Sequence, residues 1–252
     1  MRSYGQYCAL AKALDVIGDR WTLLIVRELL LRDVCRYTDL RNGLPGIATN
    51  LLAERLKELE RAGIVSREDA PPPIATTVFR LTNRGQELER VIYALGAWGA
   101  PLLANAPKTD HFHTYWLGLC ARNCLRDQEP DRPPVTIEIR TGADEPLTVE
   151  AAGGTIRTRQ GATVHPDAVM TGPHQLMTAV LTGNMALPVA RRAGLTYRGD
   201  PAVLRRVQPH SRQPARGGGR RGRQVAIRGL KRATGDAASA DSGGRRPAGD
   251  RY

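Results

Sequence analysis

Residues 46–63 read GIATNLLAERLKELERAG, and the fold turns on how they are read. Leu52, Leu56 and Leu59 recur at helical spacing. Thr49, Asn50, Glu54, Lys57 and Arg61 fall on the opposite face. Gly63 supplies the left-handed residue that closes a helix. Thr49 stands where an N-cap is wanted, but three positions on comes Leu52, so no capping box completes it. Taken alone, the stretch is an ordinary amphipathic surface helix. Its neighbours decide otherwise.

Upstream, Cys8, Leu10, Ala11, Leu14 and Ile17 give a first helix with one apolar face, broken at Gly18. Asp19 is placed to cap a second helix, Trp21 to Leu31, whose apolar residues fill much of its circumference and mark the centre of a small core. Trp21 reads as core. After the extended pair Arg36–Tyr37, Thr38 opens a brief helix, and Asn42-Gly43-Leu44-Pro45-Gly46 is a sharp turn. Downstream, Ile64 to Glu68 and Thr77 to Leu81 read as paired strands around a stiff proline tip, Ala70-Pro71-Pro72-Pro73. Thr82 caps a long helix to residue 103, with a seam of Leu88, Val91, Ile92, Leu95, Trp98 and Leu102. A seam that long needs a partner. It is expected to be a second copy of the chain, with the chain's own C-terminal part as the alternative.

That order of elements is a winged helix-turn-helix. A recognition helix brings its N-terminal polar side chains to base edges in the major groove. Thr49 and Asn50 sit at that end, and an Asn pairs bidentately with adenine. Lys57 and Arg61 suit phosphates, as do Arg67 and Arg80 beside the wing, with solvated strand arginines as the plainer reading of that pair. Arg36 and Arg55 complete the candidate DNA-binding set.

With Cys8, the segments ALDVIGDRWTLLIVREL (13–29), RYTDLRNGLPGIATNLLAERLKELERAGIV (36–65), LTNRG (81–85) and Trp98–Gly99 make residues 8–103 resemble the HxlR-type winged-helix transcription regulators, a branch near the MarR group. The resemblance implies a dimer on two-fold half-sites of double-stranded DNA. Two positions depart from the pattern. Asp19–Arg20 stands where the family usually has Gly-Lys, and Ala48 replaces a common Ser that would offer a phosphate donor or cap. Some relatives sense oxidants with an N-terminal cysteine, which makes Cys8 a redox candidate. Lys12 one turn on favours a thiolate, while Tyr7 and Leu10 point to burial.

Farther on, HFHTYWLGLCARNCL (111–125) places His111, His113, Cys120 and Cys124 near one another in sequence. The spacing matches no standard zinc site, and a partly buried helix with two thiols is the plainer reading. No metal or cofactor is expected. Val135 to Ile139, Leu147 to Ala151 and Thr155 to Arg159 form an antiparallel meander turning at Gly153–Gly154. Ala168 to Thr171 is a further strand, and helices open at Pro173 and Pro188. Pro166–Asp167–Ala168, Leu181–Thr182–Gly183 and Gly199–Asp200 make residues 130–206 resemble a sterol-carrier-protein-like domain. That resemblance implies a sheet flanked by helices with an apolar cavity. Met170, Leu176, Met177, Val180 and Met185 are its candidate lining, core packing being the commoner use of such residues.

The chain is therefore expected to be α+β. A winged-helix domain with a long dimer helix occupies 1–105, a linker and helix 106–129, and a smaller α/β domain with a meander sheet and flanking helices 130–206. A disordered Arg/Gly-rich tail fills 207–252. The formal net charge is +12, yet residues 205–252 hold 13 basic and 3 acidic side chains, leaving only +2 for residues 1–204. Bulk charge says little about the folded part. The tail is either inert or a nonspecific phosphate binder. No apolar run approaches the roughly 20 residues of a membrane span, no signal peptide opens the chain, and its four cysteines make no secreted framework; a cytoplasmic protein is expected.

The sequence thus points to a sequence-specific dimeric regulator, with an apolar small molecule as candidate effector. Its rivals are a thiol-sensing regulator and a lipid-like carrier with a secondary DNA module. An enzyme is not expected. There is no Gly-rich phosphate loop or nucleophile elbow, and His165 and His174 are isolated.

Overall fold

In the computed structural model, residues 3–71, 76–107 and 109–209 are described. Pro72 and Pro73 of the wing tip and the tail from residue 210 lie outside the described residues, together with the expectations made for them.

Helix α1 (Ala9–Ile17) buries Ala11, but Leu10 and Leu14 of its apolar face are exposed, as are Tyr4 and Tyr7 before it. Helix α2 (Thr22–Arg32) is the core element: Ile25, Val26, Leu29, Leu30 and Leu31 are all buried. It starts one residue later than expected. Trp21 takes a left-handed φ of 80° at the N-cap, and Asp19 supplies its carbonyl to Thr22 N at 3.2 Å in place of a side-chain cap. The carboxylate of Asp19 is engaged elsewhere, as described below. Strand β1 (Cys35–Arg36) leads directly into helix α3 (Tyr37–Gly43). Arg36, rather than Thr38, is the N-cap, because the Asp39 carboxylate accepts from Arg36 N at 2.8 Å and fixes the turn.

Helix α4 (Thr49–Arg61) buries Leu52, Leu56 and Leu59. Its N-cap is Ala48, so Thr49 is the first helical residue and makes no cap bond. The helix ends in a Schellman turn. Gly63 has φ +67°, its N–H reaches Glu60 O at 3.0 Å, and Ile64 N reaches Leu59 O at 2.9 Å. Strands β2 (Val65–Asp69) and β3 (Thr77–Leu81) pair antiparallel, and β1 joins the far side of β3. Thr82 caps helix α5 (Asn83–Gln86): its hydroxyl accepts from Gly85 N at 3.1 Å and donates to Gly63 O at 2.6 Å.

The long helix expected over 82–103 is interrupted. After α5 the chain restarts as α6 (Leu88–Gly99) and continues as a 3-10 helix over Ala100–Asn105. Pro101 has no N–H to give and its ring clashes with a preceding helical carbonyl, which ends the α-helix at Gly99. Of the seam, Ile92 is buried, whereas Val91, Leu95 and Trp98 are exposed.

The described residues up to Gly99 and from Pro107 onward belong to one compact unit; Ala100–Ala106 belong to another. From 107 on, a 3-10 turn at Thr114–Trp116 runs into helix α7 (Leu117–Cys124) and strand β4 (Leu125–Asp127). Strands β5 (Val135–Arg140), β6 (Leu147–Ala152) and β7 (Thr155–Gln160) form the expected meander. Gly153 and Gly154, both at positive φ (56° and 78°), make the two-residue turn that a hairpin favours. Strand β8 (Ala168–Thr171) pairs parallel to β5, and β9 (Thr196–Gly199) pairs antiparallel to β8, giving the order β7-β6-β5-β8-β9. Helices α8 (His174–Leu181) and α9 (Leu187–Arg192) lie between those last two strands in the chain.

Ile137, Ile139, Leu147, Val149, Ala151, Ala168 and Met170 are buried from the sheet, and Leu176, Met177 and Leu181 from α8. Helix α10 (Pro201–Arg206), capped by Asp200 Oδ1 accepting from Ala202 N at 2.7 Å, ends the core. Val207–Pro209, placed in the tail by composition, instead form β10 against β4. The reason lies one residue earlier. Arg206 is buried on Asp127 of β4, with Nε to Oδ1 at 2.7 Å and Nη2 to Oδ2 at 3.1 Å, which brings the strands together. Those bonds, with backbone N–H groups of Glu129 and Gly154, hold the Asp127 carboxyl down at about 2.

Candidate nucleic-acid interface

Helices α3 and α4 with the Leu44–Ala48 turn form the helix-turn-helix. Asn50, Glu54, Lys57 and Arg61 lie at i, i+4, i+7 and i+11, so they share one stripe of α4, and all four are exposed. Thr49 is exposed at the first turn. Its carbonyl accepts from the Tyr37 hydroxyl at 2.6 Å, so α3 holds the start of α4 in place. Tyr37 has no such reading in the sequence, since an aromatic at a helix start looks like core.

Arg55 is placed apart from that stripe. Its guanidinium is mostly buried, donates to Asp19 Oδ2 at 2.5 Å and also pairs with Glu58. It ties α4 to the turn before α2. The Asp19 that departs from the usual family residue is thus the partner of an arginine that the sequence assigned to DNA.

On the small sheet, Arg36 opposes Val78 and Arg80 opposes Ser66, which puts Arg36 and Arg80 on one face with Glu68. Arg67 opposes Phe79 and points to the other face. All three arginines are exposed, and Arg80 Nε lies 3.5 Å from Glu68 Oε2. The exposed stripe of α4 and the three strand arginines all lie on the surface of the helix-turn-helix and its small sheet. Asn50 offers a base-edge donor and acceptor, and the cations offer phosphate contacts.

Behind this surface sits a group the sequence reading missed. Glu28 of α2 has no exposure at all. Its Oε1 accepts from Arg27 Nε at 3.0 Å and Nη2 at 2.7 Å, and from Trp116 Nε1 at 2.9 Å; its Oε2 accepts from the Tyr115 hydroxyl at 2.6 Å. Arg27 and Arg32 stack on the Trp116 and Tyr115 rings, 4.1 and 4.3 Å from their centroids. Burial first, then the Glu28 charge, pushes the Tyr115 hydroxyl up, so it stays a proton donor. Gly43, the last residue of α3, abuts the carboxylate closely enough that a Cβ there would collide with Glu28 and the Tyr115 hydroxyl. The group therefore joins α2, the end of the first recognition-motif helix and residues 115–116. Arg122 of α7 adds a second tie, donating to Leu30 O at 2.7 Å and pairing with Glu89 of α6.

Cys8 is exposed. Its neighbours Tyr7 and Leu10 are exposed too, so the burial they suggested is not found. Cys35 is buried, and burial pushes its thiol up to about 12. His113 Nδ1 sits 2.9 Å from Asp144 Oδ2, and Cys124 is buried. Among the described residues no group of three His, Cys, Asp or Glu side chains is arranged to hold a metal ion. Met170, Leu176 and Met177 are fully packed core, while Val180 and Met185 are half-buried. Among the described residues no helix is long and apolar enough to cross a membrane.

Residues 16–106 match the HxlR-like helix-turn-helix family. The chain is 34% identical over 87 residues to the uncharacterized HTH-type transcriptional regulator YvaP of Bacillus subtilis, which covers 34% of this chain and 80% of that protein. It is 35% identical over 86 residues to the HTH-type transcriptional regulator YodB of the same organism, covering 34% of this chain and 76% of YodB. A third relative, the uncharacterized HTH-type transcriptional regulator sll1512 of Synechocystis, is 32% identical over 99 residues, with 39% of this chain and 73% of that protein covered.

Proposed function

The chain belongs to the HxlR-like helix-turn-helix family of DNA-binding transcription regulators, and on that premise we propose that it reads its operator with the exposed stripe of α4. Asn50 is the base-reading side chain, with Thr49 beside it. Lys57, Arg61, Arg36, Arg67 and Arg80 bind phosphates on either side. Arg55 acts on DNA indirectly, by fixing α4 against Asp19. The observation that carries this reading is the stripe itself: a 13-residue helix with one buried leucine edge and an opposite edge of Asn50, Lys57 and Arg61.

We further infer that the chain works as a dimer, with exposed apolar residues of α1, of the segment before it and of α6 as the contact: Tyr7, Leu10, Leu14, Val91, Leu95 and Trp98. Two copies present two recognition helices to two-fold half-sites. Residues 130–206 are read as a sterol-carrier-like lobe that carries effector control. Support for that reading comes from the parallel β5–β8 pair set within an otherwise antiparallel sheet, with α8 and α9 between β8 and β9. An effector acts only if it favours one DNA-binding state over another.

The test is a footprint on operator DNA selected from genomic fragments. Asn50→Ala is expected to lose about 1–3 kcal/mol of discrimination at one base pair with the fold unchanged. Lys57→Ala is expected to weaken all sequences alike and lower the salt slope by about one. A footprint unaltered by Asn50→Ala overturns the assignment of that base contact.

One observation favours a second reading. Cys8 is solvent-exposed at the start of α1, where an oxidant reaches it. If Cys8 senses oxidants, peroxide changes operator affinity in the wild-type chain and not in Cys8→Ser; unchanged affinity after peroxide sinks it.

A further inference from the structure

The aromatic pair Tyr115–Trp116 does more than satisfy Glu28. The residues just before it are fastened to the second half. Thr114 N donates to Asp144 Oδ1 at 2.9 Å, His113 Nδ1 lies 2.9 Å from Asp144 Oδ2, and the Thr114 and Thr141 hydroxyls are 2.6 Å apart. Thr141 and Asp144 belong to the loop between β5 and β6. Phe112 stacks on His174, the first residue of α8, with ring centroids 4.1 Å apart. The placement of the two rings therefore follows the β5–β6 loop and α8.

On their other side the rings bear on α3. Arg27, lying on the Trp116 ring, donates from Nη2 to Gly43 O at 3.4 Å. Arg32, lying on the Tyr115 ring, donates from Nη1 to Asp39 O at 3.4 Å. The Tyr37 hydroxyl at the start of α3 then holds Thr49 O, one residue before Asn50. Arg32 is the weak point of this relay. Its Nε is shielded from solvent and has no hydrogen-bond partner, which is costly for a charged donor. Glu28 Oε2 stands 3.9 Å from that Nε, roughly 1 Å beyond hydrogen-bonding distance, and accepts the Tyr115 hydroxyl instead.

Arg32 thus has two settings. With Tyr115 seated, the ring carries the Arg32 guanidinium and leaves it on Asp39 O. With Tyr115 withdrawn, Glu28 Oε2 loses its donor, and Arg32 closes on it as an i,i+4 pair along α2, leaving Asp39 O. We propose that Tyr115 and Trp116 are positioning residues for the DNA-reading helix: seated, they hold α3 through Arg27 and Arg32; withdrawn, they let Arg32 collapse onto Glu28 and release α3. A shift of the β5–β6 loop or of α8 then reaches Thr49 and Asn50 through one two-state element. This assignment rests on the regulator reading above.

The test pairs operator binding with amide exchange in the full chain, at a temperature where circular dichroism shows each variant folded. Tyr115→Phe is expected to weaken operator binding about fivefold or more and to leave binding to a scrambled duplex unchanged. Trp116→Phe, at a half-buried position, removes another Glu28 donor; it is expected to do the same, and it carries the measurement if Tyr115→Phe does not fold. Arg32→Met frees the Asp39 carbonyl directly, so combined with either aromatic variant it is expected to lose little more than one change alone. Without DNA, the aromatic variants are expected to speed exchange in α3 and the first turn of α4 and not in β5 or β8. A structural role alone would lower the melting temperature and move none of these. Unchanged operator binding in the aromatic variants overturns the proposal, as do equal losses on the scrambled duplex, losses that multiply in the double variant, or unchanged exchange in α3. The two claims fail separately. A wild-type chain that selects no operator, with α3 exchange faster in the variants, breaks the regulator reading and leaves the two-state element standing; a selected operator with unchanged α3 exchange does the reverse.

Discussion

Glu28 in the winged-helix half and Asp127 in the second half are both buried carboxylates met by arginine, yet they are satisfied in different ways. Asp127 is held by the fork of Arg206 and by backbone N–H groups of Glu129 and Gly154, all from its own half. Glu28 takes Arg27 and, at 3.9 Å, Arg32 from its own helix, and two donors, Tyr115 and Trp116, from beyond the stretch matched by the family. The first closes a lobe on itself. The second is a joint, and its state depends on both sides. Buried charge in this chain therefore serves two ends, one within a lobe and one between the recognition scaffold and the Tyr115–Trp116 segment.

The contrast is broken most forcefully at Arg206. Arg206→Ala leaves Asp127 buried without its cation, and a loss of about 3–5 kcal/mol is expected in urea unfolding. If the loss is under about 1 kcal/mol, Asp127 is not the closure described. Acid gives a gentler version. The Asp127 carboxyl is held at about 2, below its ordinary value of 3.8, so its contribution is complete above that ordinary value and disappears as pH falls toward 2. Unfolding midpoints measured from about pH 5 down to about pH 2 are expected to fall over that window in the wild-type chain and less steeply in Asp127→Asn.

At the joint, Tyr115→Phe removes one donor from a buried anion, and about 1.5–3 kcal/mol is expected. A cost near zero would mean that the remaining donors, Arg27 and Trp116, satisfy Glu28 without the Tyr115 hydroxyl. The smallest effect belongs to a feature of the winged-helix half by itself. Thr82→Ala removes the α5 cap and its bond to Gly63 O, for about 1 kcal/mol. Amide exchange is expected to rise in α5 and leave β5–β8 unchanged, which sharpens the distinction between local closures and the joint.

Much of the architecture was legible because it is local. The leucine spacing of α4, Gly63 as its terminator, the bounds of β3, the Gly153–Gly154 turn and the Thr82 cap all depend on residues within one element or two. The exposed polar stripe of α4 was legible for the same reason. What escaped depends on distant partners. Glu28 sits in an apolar run and carries no signal of its own in the sequence, because its partner Tyr115 lies 87 positions on. Arg55 reads as a DNA contact until Asp19 arrives. The seam of α6 was read as needing a partner outside its own helix, and within this single chain Val91, Leu95 and Trp98 are exposed, as are Leu10 and Leu14 of α1. The second half shows the same division. Its meander is local, while the incorporation of Val207–Pro209 into a sheet rests on Arg206 finding Asp127 across 79 positions.

The joint at Glu28 also bears on how the molecule is taken apart at the bench. A fragment ending at residue 106 would contain the whole family-matched stretch and every side chain proposed to face DNA. It would also strip Tyr115 and Trp116 from a carboxylate at the heart of α2 and uncover the faces of Arg27 and Arg32 on which their rings rest. Such a piece, cut where the family match ends, would leave that carboxylate without two of its donors. Excised in this manner, the winged-helix half loses contacts that it has in the intact chain.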